Sequence, residues 1–172
     1  ARLRWRCCEP SLPRPSVMID SLTAFDAAVP ASRLVLPNAR HVPGTGSEPD
    51  WPALGAAKAQ VPVVTVEAEW DDNEAYLYGF ALMRAGHFWE AHEVWEPVWL
   101  ASPPNGRARI LLRALIQTAN ARLKHVMGRR RAVVRLAEEA RDELANLGVA
   151  DGEVFMGVVV SSLRAELAAL AI

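Results

Sequence analysis

Between residues 107 and 147 apolar side chains recur every three or four positions, and a glycine stands after each run. Leu111, Leu112, Leu115, Ala119, Leu123 and Val126 share one helical face that Gly128 closes. Val133, Ala137, Ala140, Leu144 and Leu147 do the same before Gly148. That period belongs to a helix and not to the two-residue alternation of a strand. The pattern begins earlier. Asp71, Asp72 or Asn73 offers a cap to a helix that carries Leu77, Phe80 and Met83 on one face and stops at Gly86. A second helix covers residues 88–100, and Ser102-Pro103-Pro104-Asn105-Gly106 is a loop. The third and fourth helices cover residues 107–127 and 130–147, and a last one 161–170. Residues 151–160 suit either helix or extended chain. Short loops make consecutive helices antiparallel, so the expected fold is all-α, a small up-down helical bundle over residues 67–172.

Residues 1–66 differ. They hold most of the prolines and no long periodic segment, which predicts an extended, proline-rich N-terminal arm with one short helix over residues 20–28. Residues 34–62 are expected to be extended, with turns at Pro43-Gly44 and Pro49-Asp50. Val35, Leu36, Val42, Trp51 and Leu54 are too apolar for a free linker and place the arm against the bundle.

A chain of 172 residues, 51% apolar and 23% charged, has the make-up of one globular core. No apolar run approaches the roughly 18 residues of a membrane helix, so a soluble protein with no membrane partner is expected. Cys7 and Cys8 are adjacent and have no other thiol to join, which argues against a disulfide framework and for the cytoplasm. Arg2, Arg4 and Arg6 precede prolines instead of the apolar core of a secretory signal, and Met18 offers itself as an alternative start.

Charge is unevenly placed. Residues 65–106 carry Glu67, Glu69, Asp71, Asp72, Glu74, Glu90, Glu93 and Glu96 against the single base Arg84; residues 107–135 carry bases and no acid. The simplest expectation is that the two segments face each other through salt bridges at their rims. The alternative is an anion or nucleic-acid binder using the basic third and fourth helices. Those bases are spread around the helix without interleaved exposed aromatics, so nucleic acid is not the expected partner. Arg129-Arg130-Arg131 reads as a solvated face, at the helix end that disfavours cations.

The chemistry concentrates in residues 86–99, which hold His87, His92, Trp89, Trp95 and Trp99. At 100° per residue Phe88, His92, Trp95 and Trp99 form one broad face, with Trp89, Glu93 and Glu96 beside it. His92 and Glu96 are one turn apart, so their tips can meet a single metal ion or each other. Pro97 disfavours helical geometry at Glu96 and predicts a kink or an early end there. On the third helix Gln117 and Asn120 are short amides among core positions. Pointed inward, they would complete a small polar pocket floored by Trp89, Trp95 and Trp99. His87 is expected at the surface or at the helix start, and His41 and His125 have no evident partner.

The runs Tyr76-Leu77-Tyr78-Gly79, Phe88-Trp89-Glu90-Ala91-His92-Glu93-Val94-Trp95-Glu96 through Trp99, and Leu115-Ile116-Gln117 resemble family 309 of the domains of unknown function. The segment Leu36-Pro37 through His41-Val42-Pro43-Gly44 resembles the proline-rich lead-in of many members. The resemblance covers about residues 73–147, and its His-x-x-x-Glu-x-x-Trp hallmark is met by His92, Glu96 and Trp99. It implies a helical fold and a metal-binding role for the motif, and it supplies no reaction.

Three readings follow. The first is a binding domain for a small ligand or protein partner at Trp89, Trp95, Trp99, Gln117 and Asn120, with a divalent metal on His92 and Glu96. The second is a metal-dependent hydrolase with the same ligands and Glu93 as general base. The third is the anion binder above. A structural alternative makes His92 and Glu96 a hydrogen-bonded pair buried under the tryptophans. A metal needs a third ligand, for which Glu93, His41, His125 and Gln117 are candidates. No phosphate loop, nucleophile triad or dinucleotide fingerprint is present.

Overall fold

The computed structural model describes residues 29–150 and 152–172; the short helix expected over 20–28, Cys7, Cys8 and Met18 lie outside them. The bundle is α2 (Glu74–Arg84), α3 (Phe88–Leu100), α4 (Arg107–Val126), α5 (Arg130–Ala145) and α6 (Val160–Leu170). Each packs on the next, and α6 also reaches α4. No described helix is long and apolar enough to cross a membrane.

α2 is the centre. Tyr76, Tyr78, Phe80, Leu82 and Met83 are all fully buried, so this helix is enclosed nearly all round rather than on one face. Asn73 caps it by accepting the Tyr76 amide at 3.0 Å. At the other end Gly86 turns at φ +77°, which lets His87 donate to Leu82 O at 2.8 Å and Gly86 to Met83 O at 3.1 Å. Both bonds satisfy last-turn carbonyls and set the sharp reversal into α3.

α3 runs unbroken through Pro97 to Leu100, against the expectation of an early end. The ring removes only the bond toward Glu93, one turn back. α2 and α4 flank the helix and bury Val98 completely, which holds the segment in place.

The arm departs from its expected extended form. Residues 51–58 are α1 (Trp51–Lys58), capped by Asp50, whose Oδ1 accepts the Ala53 amide at 3.1 Å, with Pro52 in the first turn. Asp before a proline-led first turn is a helix start, and Leu54 and Ala57, one turn apart, are buried against α2 and α3. The turn at Pro43-Gly44 is present. The ambiguous stretch forms a two-strand hairpin, β1 (Val154–Phe155) with β2 (Val158–Val159), turning at Met156-Gly157. Tyr76 Oη donates to Met156 O at 2.8 Å and ties that turn to the core.

The acidic and basic segments face each other through the packing of α3 on α4, but without the expected set of rim salt bridges. Among the described residues only Glu67 forms an ion pair between them, with Arg107 at 3.6 Å, and it also accepts the Ala108 amide at 3.1 Å. It thereby caps α4, whose own N-cap position, Gly106, has no side chain to do so. Arg113 and Arg135 pair with Glu143 and Glu139 on α5, and Arg122 with Glu166 on α6. The acids of α2 and α3 fasten the arm instead. Glu74 accepts from Ser32 Oγ at 2.5 Å and from Arg33 N at 2.6 Å; Glu90 accepts the His41 amide at 2.6 Å; Glu93 pairs with Lys58 at 2.9 Å. Burial alone would raise the Glu74 pKa, but the hydrogen bonds from Ser32 and Arg33 outweigh it and hold that carboxyl below its usual value.

Candidate functional site

The inward stripe of α3 is Ala91, Val94, Trp95 and Val98, all fully buried. Trp95 is therefore core and not the floor of a pocket. Its Nε1 donates to Tyr76 O at 3.0 Å, and its ring meets Phe80 edge-on at 5.1 Å. This stripe puts His92 and Glu93 at the margin of the helix, half-buried, with Glu96 exposed. One ligand atom from each of the three lies within 4.8 Å of the others. His92 Nδ1 is buried and has no hydrogen-bond partner. The buried His92–Glu96 pair is not what forms, because Glu96 stands in solvent.

Two tryptophans frame this facet. Trp89, half-buried, is met edge-on by His41 at 4.5 Å and Trp51 at 6.0 Å. Trp99 is half-buried under the Arg109 guanidinium, 4.2 Å from its ring. Arg109 also donates to Trp99 O at 3.1 Å and Ser102 O at 2.8 Å, closing the end of α3. The Trp99 Nε1 is buried and unpartnered. Gln117 and Asn120 turn away toward α5: Gln117 donates to Glu139 at 3.1 Å, and Asn120 to Gln117 at 3.5 Å. Neither joins the His92 facet. An α4 face flanked by core positions can serve either neighbour, and here α5 takes these amides. His125 is exposed.

Lys58, from the last turn of α1, places its ammonium 2.9 Å from Glu93 Oε2. A sequence reading that makes this segment extended cannot locate it. Glu90 was also missed. It is completely buried, one turn before Val94 on the inward side, and that position on the wheel was the available signal. Its Oε1 holds the His41 amide, while Oε2 is unpartnered and faces the equally unpartnered His87 Nδ1 at 3.9 Å. His41 thus has partners: its amide on Glu90, its Nδ1 on Ser47 O at 2.6 Å, and its ring on Trp89.

His87 sits at the start of α3 as expected but is buried, 7% exposed, and not at the surface. Burial lowers its pKa below the usual 6.5, and nearby Arg40 adds to this, against the opposing pull of Glu90. A histidine kept neutral in the fold and free to protonate when unfolded stabilises the protein at pH above 6.5. That contribution is lost as pH falls toward the lowered value. Denaturant midpoints at pH about 7.5 and about 5.5 are expected to fall on acidification, and to fall less in His87→Gln. An equal drop in both proteins would remove His87 as the cause.

Residues 76–136 match the model of a family described as a domain of unknown function (DUF309). The match runs from α2 through α3 and α4 into α5, and it contains His92, Glu93, Glu96 and Trp99. It bears out the resemblance read from the motif, over a shorter span. No curated protein and no solved structure matches the chain.

Proposed function

From a helical core that carries a family match but no assigned chemistry, we propose a binding module whose working surface is the His92–Glu93–Glu96 facet. In this reading the facet captures a divalent cation and, through it, a small ligand. The observation that carries it is the convergence of one imidazole nitrogen and two carboxylate oxygens within 4.8 Å on a single turn of α3. A nitrogen with two oxygens suits zinc, manganese or iron, and the unpartnered Nδ1 of His92 supports a missing bond there. Three protein ligands leave coordination positions open. The cation would supply an electrophilic point for an oxygen of the ligand, and Trp89 and Trp99, one helical turn to either side, offer apolar edges for the rest of it.

Hydrolysis is the weaker reading. Glu93, the expected general base, is held by Lys58 and is at the same time needed as a ligand. Binding along the basic helices is weaker too, because Arg107, Arg113, Arg122 and Arg135 are paired within the chain and Arg109 is spent on Trp99.

Elemental analysis of untagged protein beside His92→Ala tests the proposal. Near-stoichiometric metal in the parent, lost in the variant, is the expected result. If neither holds metal, in growth or after dialysis against zinc or manganese, and the variant only melts earlier, His92 is a packing residue and the proposal fails.

A further inference from the structure

Two charged patches occupy opposite ends of the bundle, away from the His92 facet. α4 is 20 residues long and so spans about 30 Å. Beside its first turn, on the 3-10 segment Glu67–Asp72, the side chains of Glu69, Asp71 and Asp72 are exposed and, among the described residues, without an ion pair. Val63, Val64 and Val66 next to them are 97%, 52% and 43% exposed. In the last turn of α4 and just beyond it the signs reverse. His125, Arg129, Arg130 and Arg131 are exposed, and among the described residues Lys124 reaches only the Met127 sulfur, at 3.9 Å. Val126 among them is 54% exposed.

These bases are the remainder of the basic segment, whose other members are paired or stacked within the chain. The three arginines open α5, where the helix dipole works against positive charge. No acid among the described residues offsets them. Among the described residues each end therefore presents charge of one sign without an ion pair, with exposed valine adjacent in sequence, and the two ends are complementary to each other.

We infer that the chain associates head to tail, the acidic end of one copy docking on the basic end of the next. Valines pack within a rim of Arg–carboxylate pairs. A nucleic acid would engage the arginines and leave the acidic, valine-bearing end without a purpose; a second copy uses both. The net charge of −1 adds no long-range repulsion between copies. Docked end to end in one direction, the contact is heterologous and builds rings or short chains.

Light scattering or sedimentation of the full chain tests this at salt near ~10 mM and near ~1 M, where the Debye length falls from ~30 Å to ~3 Å. Concentration-dependent association at low salt, dissolved at high salt, is expected. Arg129→Glu with Arg130→Glu and Arg131→Glu should weaken it about tenfold or more, as should Glu69→Lys with Asp71→Lys and Asp72→Lys. The first set suits the start of α5 and leaves folding intact. Mixing the two triple variants restores association, since one has two acidic ends and the other two basic ends. A parent that stays monomeric at low salt overturns the inference, whether or not it binds a short DNA duplex. So does a mixture that fails to assemble.

Discussion

Gly79→Ala is expected to cost about 3 kcal/mol or more and to lower the melting temperature by roughly 10 °C. Helix propensity alone predicts the reverse, a gain of about 1 kcal/mol for removing glycine from the interior of α2. The difference lies in Trp95. A Cβ at residue 79 would sit 2.1 Å from Trp95 Nε1 and 2.2 Å from Cε2. That indole cannot retreat: it is fully buried, its nitrogen is bonded to Tyr76 O, and Phe80 closes its edge. Either the α2–α3 spacing opens or the indole leaves its rotamer, and both uncover core. Gly55→Ala is the matched control, because nothing lies within 4 Å of a Cβ there and the backbone is already helical. It should be neutral or stabilise by about 0.5–1 kcal/mol. If the two variants melt together, the close packing of α2 on α3 is not what fixes Trp95.

Lys58→Ala is expected to tighten binding of a divalent cation at the His92 facet by about tenfold or more. The ammonium lies 2.9 Å from a carboxylate that the cation also needs, so in the parent one positive charge must displace another. Lys58 and Glu93 are 37% and 22% exposed at their side chains, and solvent weakens the pair well below its value in a dry interior. A like-charge penalty of about 1.5 kcal/mol remains reasonable there and corresponds to the tenfold change. Titration with zinc or manganese, read by calorimetry or by the emission of Trp89 and Trp51, measures it. Unchanged affinity would mean that the ion does not use Glu93. Affinity lost in His92→Ala and gained in Lys58→Ala would together assign the facet.

The bundle was legible because periodicity and punctuation agree. Every long helix shows its three–four spacing, and Gly86, Gly128 and Gly148 stand just past the ends. α1 was not legible that way: in eight residues it buries only Leu54 and Ala57, and its proline and glycine mimic a loop. The convergence of His92, Glu93 and Glu96 follows from their spacing on one helix. Which side of α3 turns inward does not, because tryptophan suits a core or a surface equally well. Trp95 therefore went to the core, while Trp89 and Trp99 took the margins. Lys58 and the His41 amide reach their carboxylates across 35 and 49 positions, distances over which no local pattern carries information.

Those same separations bear on the entropy of closing the chain. The helical hairpins close over short loops, whereas the fastenings at Glu74, Glu90 and Glu93 close loops of 41, 49 and 35 residues. Contacts across such separations carry a larger loop-closure entropy than those within a hairpin. α2, α3 and α4 need only the shorter closures, and the residues from 32 to 58 lie on them as an outer layer. Were that layer to lift, Lys58 would leave with it. His92, Glu93 and Glu96 sit on one helix, so their convergence does not depend on the arm, and a molecule with the arm lifted would present the site without its ammonium.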